Sequence, residues 1–139
     1  MTVDRIFLDA SILFSLAWGS SVMAQLRELA KKNRCLLYAS QYVIEEARRN
    51  LVDPEQVQRL ETFLPNVQIV PEVDPHIACP IDLPEKDRPV FMAAVSIKAD
   101  YLLTGDVIHF GKYFGKPVGG VRICRPRDYI NLRKITQEK

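Results

Sequence analysis

Only two histidines, His76 and His109, occur in the 139 residues, too few and too far apart in sequence to build a zinc site. Cysteine is nearly as scarce. Cys35, Cys79 and Cys124 are odd in number and show no Cys-x-x-Cys spacing, so each is expected as a small apolar core residue, not a disulfide or metal partner. No stretch approaches the roughly 20 apolar residues of a spanning helix, and no membrane partner is expected. The amino terminus lacks a secretory pattern, because Asp4 and Arg5 precede the apolar stretch and Asp9 interrupts it. Internal repeats, low-complexity tracts and linkers are missing too. These absences point to a cytoplasmic globular chain forming one domain over residues 1–139, with disorder expected in about the last six residues.

Hydrophobic residues make up 47% and charged residues 26%, ordinary for a chain with a packed core. The net charge is +2, but it is unevenly spread: residues 1–106 carry a balance of −4 and residues 107–139 one of +6. That asymmetry suits an acidic site beside a basic shoulder able to hold a polyanion. A solvated basic surface explains it equally well.

Short, β-prone apolar runs at 5–8, 35–39, 66–70, 100–104 and 121–124 read as buried strands. Helical patterns cover 10–18, 20–33, 41–51, 54–63, 87–98 and 126–132, with Asp53-Pro54 in cap-then-proline order. Residues 71–84 hold four prolines and read as a connection. Continuous apolar strands alternating with helices predict an α/β fold, a central, mainly parallel sheet of four to five strands covered by helices on both sides.

In such sheets, ligands sit beyond the carboxyl ends of the strands. Asp9 follows the first strand directly, and Asp106 follows Thr104-Gly105 at the end of 100–104. Both acids therefore face one edge, although each is also placed to cap the turn or helix after it. Asp87 precedes Val90, Phe91 and Ala94 by three, four and seven positions, which turns it toward the core. A charge there is costly unless paired or metal-bound. Glu46 lies nearer than Glu45 to the Val43–Ala47–Leu51 face of its helix. Gathered carboxylates repel and need protons or cations, and hard oxygen ligands select Mg²⁺ or Mn²⁺ over zinc.

These segments resemble the PIN domains, small metal-dependent nucleases that include toxins of bacterial toxin–antitoxin pairs. Phe7-Leu8-Asp9-Ala10-Ser11 looks like the opening strand with its first acid. In Ser40-Gln41-Tyr42-Val43-Ile44-Glu45-Glu46 the acid six positions after the serine favours Glu46. Asp87 with Ala93-Ala94 resembles the third motif, and Ala99 through Asp106 the strand ending in Thr-Gly-Asp. Pro89 departs from the pattern, standing where the family often has a further acid.

The resemblance implies a PIN-like three-layer α/β/α sandwich and a Mg²⁺- or Mn²⁺-dependent endoribonuclease. Asp9, Asp87 and Asp106 would be metal ligands, with Glu46 a ligand or a holder of water. Ser11 and Thr104 would orient them. RNA is the implied substrate, with Arg122, Arg125, Arg127 and Arg133 as candidate basic contacts. Tyr113, Phe114 and Tyr129 are interleaved there as candidate stacking surfaces, unless they pack in the core. A cognate antitoxin and a second copy of the chain are the implied protein partners. A catalytically inactive PIN-like module that binds RNA or a partner is the alternative. A haloacid-dehalogenase-type phosphatase fits worse, because no second acid stands at Ser11. A receiver-like phosphoacceptor would want a lysine at a late strand end, where Thr104-Gly105 stands instead. His109 is expected on the surface, with contact to a phosphate near Asp106 as the alternative, and His109-Phe110-Gly111 and Gly119-Gly120 carry no assigned role.

Overall fold

A computed structural model describes the backbone of residues 3–138 and the side chains of 3–134. Its sheet is built from β1 (Asp4–Leu8), β2 (Cys35–Ser40), β3 (Val67–Val70), β4 (Tyr101–Leu103), β5 (Pro117–Val118) and β6 (Val121–Cys124). They lie in the order β3-β2-β1-β4-β6-β5. All neighbours are parallel except β5 and β6. Ile6, Phe7 and Leu8 are wholly buried, as a strand covered by helices on both faces requires.

The helices are α1 (Ala10–Ala17), α2 (Ser21–Lys31), α3 (Gln41–Arg49), α4 (Pro54–Phe63), α5 (Arg88–Ser96), α6 (Val107–Phe110) and α7 (Pro126–Glu138). α1 packs against α3 and α4, and α2 against α7, giving the three-layer α/β/α sandwich. Among the described residues no helix is long and apolar enough to cross a membrane.

The strand order creates a switch point. From β1 the chain steps outward to β2 and β3, then crosses back to place β4 on the other side of β1. Loops leaving β1 and β4 therefore diverge, opening a crevice at their carboxyl ends. Asp9 and Asp106 lie in those two loops.

Three details depart from the sequence expectations. A sixth strand is present, because β5 has only two residues and leaves no alternation to read. Residues 107–110 form a one-turn helix. The last helix runs on to Glu138, past the expected end at Leu132; the expected terminal disorder concerns side chains after Lys134, and Lys139, that lie outside the described residues. The cysteines are free thiols. Burial pushes the Cys35 thiol up to about 11 and the Cys124 thiol to about 12, so neither ionises near neutral pH.

Gly119 and Gly120 form the two-residue turn between β5 and β6, since Val118 pairs with Val121. Both have positive φ, +57° and +82°, the conformation a tight hairpin of this hand demands. Gly119 also abuts α5: a Cβ there would meet the Phe91 ring at 3.2 Å and a Val95 methyl at 3.3 Å, whereas one on Gly120 meets nothing. Gly120→Ala should therefore cost only the left-handed backbone strain, about 1 kcal/mol. Gly119→Ala should cost about 2–3 kcal/mol, because overpacking adds to it. Urea denaturation of the two variants checks the order, and equal losses would show that the Phe91 contact relaxes freely.

Candidate active site

Asp9 is the N-cap of α1, 7% exposed. Its Oδ1 accepts from the Ala10 backbone N–H at 2.7 Å, and its Oδ2 from the Thr104 hydroxyl at 2.6 Å and the Ser11 hydroxyl at 3.4 Å. Burial raises its carboxyl pKa, against the lowering effect of the Thr104 and Ala10 hydrogen bonds, and the charge of Glu46 raises it further.

Thr104 is wholly buried and works in two directions. Its hydroxyl donates to Asp9 and accepts the Asp106 N–H at 3.1 Å. Ser11 likewise accepts the Gly105 N–H at 3.0 Å. These side chains lace the loop after β1 to the loop after β4. The backbone bond from Asp9 N–H to the Leu103 carbonyl, 3.1 Å, does the same.

Asp106 caps α6: its Oδ1 accepts the His109 N–H at 3.0 Å. The cap explanation weighed for Asp9 and Asp106 is thus correct for both. Asp87 differs. It closes a 3-10 turn (Glu85–Asp87), stands at the N-cap of α5 and makes no side-chain cap bond. It is only 8% exposed.

His109 stands between the acids, contrary to the expected surface placement. Its Nδ1 lies 2.8 Å from Asp106 Oδ2 and 2.9 Å from Asp87 Oδ2. Facing two acceptors, Nδ1 is assigned a hydrogen, and one N–H has one direction. Asp106 receives it. Asp87 Oδ2 is shut off from solvent with no hydrogen-bond donor, although the 2.9 Å separation alone would suggest one. The N–H points away from Asp87, and hydrogen bonds weaken steeply off-axis. The signal that marks His109 in the sequence is its spacing: Asp106-x-x-His109 sets a capping acid beside the third residue of the turn it caps.

Glu46 and Glu45 separate as expected. Glu45 is exposed and accepts from Gln41 at 3.0 Å. Glu46 is half-buried and lines an open cleft of about 570 Å³ with Ser11, Ser15, Asn50 and Gly105. It is not among the tightest group: ligand atoms of Asp87, Asp106 and His109 lie within 4.8 Å of one another. Tyr42 joins the two halves. Its hydroxyl donates to the Lys86 carbonyl at 2.8 Å, and burial with the charges of Glu46 and Asp87 raises its pKa.

The basic shoulder is less uniform than its sequence suggests. Arg125 and Arg127 leave the carboxyl end of β6, the edge that carries the acids. Arg125 pairs with Asp128 at 3.0 Å and lies over Phe114. Arg122 gives its guanidinium to the Gly115 carbonyl at 2.9 Å. Arg133 sits at the opposite edge, 3.4 Å from Asp4, because α7 runs back across the sheet. Tyr129 is not available for stacking on bases: it is wholly buried, its hydroxyl on Asp4 at 2.8 Å. Tyr113 is tied to the Asp82 backbone.

No Lys or Arg among the described residues pairs with Asp9, Asp87 or Asp106. A buried carboxylate oxygen without a donor, beside a second acid and an imidazole nitrogen, fits a divalent cation. Burial, and secondly the neighbouring acids, raise the Asp87 carboxyl pKa against the lowering effect of His109. A raised folded pKa means that the protonated form is favoured by folding. Stability is then greatest below the unfolded pKa and falls as pH rises through the folded one. In chelator-treated protein at pH 7, Asp87→Asn should raise Tm by roughly 2–6 °C and flatten its decline as pH rises above the ordinary carboxylate range. Adding Mn²⁺ should stabilise the wild type more than the variant. A variant that melts lower in chelator contradicts this account.

The sequence profile of the PIN domain matches residues 5–108. A search of curated proteins finds no significant match. Among solved structures, PAE2754 from Pyrobaculum aerophilum is 18% identical, over 96% of this chain and 90% of its own, with a TM-score of 0.64. VapBC2 from Rickettsia felis, solved bound to a DNA fragment from its promoter, is 14% identical over 87% and 98%, TM-score 0.61. VapC20 of Mycobacterium tuberculosis, a sarcin–ricin loop cleaving toxin, is 14% identical over 74% and 91%, TM-score 0.51. At such identities these are likenesses of fold, and the profile match, over most of the chain, identifies the family. This chain belongs to the PIN-domain family.

Proposed function

We propose that the chain is a Mg²⁺- or Mn²⁺-dependent endoribonuclease of the toxin-like kind, with Asp9, Glu46, Asp87 and Asp106 as its acidic centre. The observation that carries this reading is Asp87: a buried carboxylate with no capping role and a donor-free oxygen, turned toward Asp106 at the switch point of the sheet. Asp87 and Asp106 hold the cation, and Asp9 completes their charge. A divalent ion bound there supplies charge neutralisation and Lewis-acid polarisation at a phosphodiester. Thr104 and Ser11 fix Asp9 and the Thr-Gly-Asp loop in register, so the carboxylates need not reorganise when substrate arrives.

Glu46, across the cleft from the Thr-Gly-Asp loop, orients the attacking water through its carboxylate. Arg125 and Arg127, on the same edge, hold the polyanion; Arg122 contributes less, its guanidinium being bonded to the backbone. RNA as the substrate class rests on the family resemblance and on the likeness to a toxin that cleaves the sarcin–ricin loop. A cognate antitoxin as protein partner rests on the same resemblance.

Labelled single-stranded RNA incubated with Mn²⁺ should be cut by the wild type, with Asp9→Asn and Asp106→Asn slower by on the order of 100-fold or more. The same trace activity in all three would leave a non-cutting RNA- or partner-binding module as the better reading.

A further inference from the structure

The position of His109 is not accounted for by the acids alone. Its backbone N–H is fixed by Asp106 Oδ1 at 3.0 Å, which pins the residue to the first turn of α6. Its ring nitrogen Nδ1 then falls 2.8 Å from Asp106 Oδ2 and 2.9 Å from Asp87 Oδ2, and ligand atoms of the three residues lie within 4.8 Å of one another. A hydrogen on Nδ1 satisfies only one of them, and the other is buried and donor-free. A cation among the three removes this deficit. It gives Asp87 Oδ2 a partner, and it uses the Nδ1 lone pair of a neutral imidazole whose hydrogen has moved to Nε2.

We propose that His109, through Nδ1, is a direct ligand of the cation held by Asp87 and Asp106, making this a mixed oxygen–nitrogen centre that prefers Mn²⁺ to Mg²⁺. The inference rests on the acidic-centre reading above and extends it to a nitrogen donor. The preference follows from donor chemistry. Mg²⁺ demands a near-ideal octahedron and gives up its waters reluctantly, whereas Mn²⁺, which also takes carboxylate oxygens, belongs to the first-row series whose ions accept a nitrogen donor more readily than Mg²⁺ does. His76 plays no part: it is exposed and bonded to Asp74.

The test is electron spin resonance on protein loaded with Mn²⁺ alone. Wild type should bind the ion and show ¹⁴N hyperfine coupling from one directly bound imidazole, unchanged in His76→Gln and lost in His109→Gln. His109→Gln should weaken Mn²⁺ by about 10–100-fold and Mg²⁺ by less, narrowing the ratio between them. A Mn²⁺-loaded wild type without nitrogen coupling overturns the ligand assignment and leaves the acids standing. Unchanged Mn²⁺ affinity and coupling in His109→Gln, folded by circular dichroism, overturns it as well. A wild type that binds no Mn²⁺, or binds it no better than Asp87→Asn, sinks the acidic centre itself. The wild-type spectrum needs no variant, so a misfolded substitution does not remove the test.

Discussion

The 2.6 Å hydrogen bond from Thr104 to Asp9 is the contact on which the site depends. It joins the first loop of the chain to one that follows 95 positions later, across the switch point where the sheet opens. Because Thr104 also accepts the Asp106 N–H, one buried hydroxyl sets the spacing of two acids. Charge-assisted bonds of this length are the strong ones. Here the bond also lowers the Asp9 pKa, partly offsetting the burial that raises it. Removing the hydroxyl would leave the Asp9 carboxylate more costly and the Thr-Gly-Asp loop less fixed.

The two ends of β1 make the functional edge intelligible. Asp4, at the amino end, is compensated: Arg133 lies 3.4 Å away and the Tyr129 hydroxyl donates to it at 2.8 Å. Asp9, at the carboxyl end, has hydroxyl and backbone donors but no pairing Lys or Arg among the described residues. Asp87 has less still. The fold thus pairs a half-buried carboxylate with an arginine at the amino end of the sheet, and gathers three carboxylates with no Lys or Arg partner among the described residues at the carboxyl end, where sheets of this kind place their ligands. α7 links the two edges, since it starts beside the acids at Pro126 and carries Arg133 to the opposite side.

Much of this was legible because the information was local. Five apolar runs became parallel strands, and Asp9 and Asp106 were readable as strand-end residues from the chain alone. Asp87 was readable from its inward helical register. What escaped was set by long-range packing or by elements too short to carry a period. His109 sits in a four-residue helix, where no periodicity can be measured, and its meaning depends on Asp87, 22 positions earlier in the chain. β5 has two residues, so its glycine turn had no strand signal beside it. Arg133 and Tyr129 looked like part of a basic, aromatic shoulder, because sequence proximity to Arg125 does not reveal that a helix carries them along the sheet.

The apparent conflict between helix cap and candidate active-site acid dissolves once the two oxygens of each carboxylate are considered separately. Asp9 and Asp106 each give Oδ1 to a backbone N–H, at 2.7 Å and 3.0 Å, which fixes the side chain. Each keeps Oδ2 for the interior, toward Thr104 in one case and His109 in the other. Capping therefore orients the second oxygen and does not compete with it. Asp87 makes no cap bond and is held instead by burial, with Tyr42 bonded to the adjacent Lys86 carbonyl. An asparagine at position 9 or 106 preserves the capping carbonyl while removing the charge, whereas alanine removes both. Asparagine is thus the substitution that separates the chemistry of this edge from the stability of the helices that begin there.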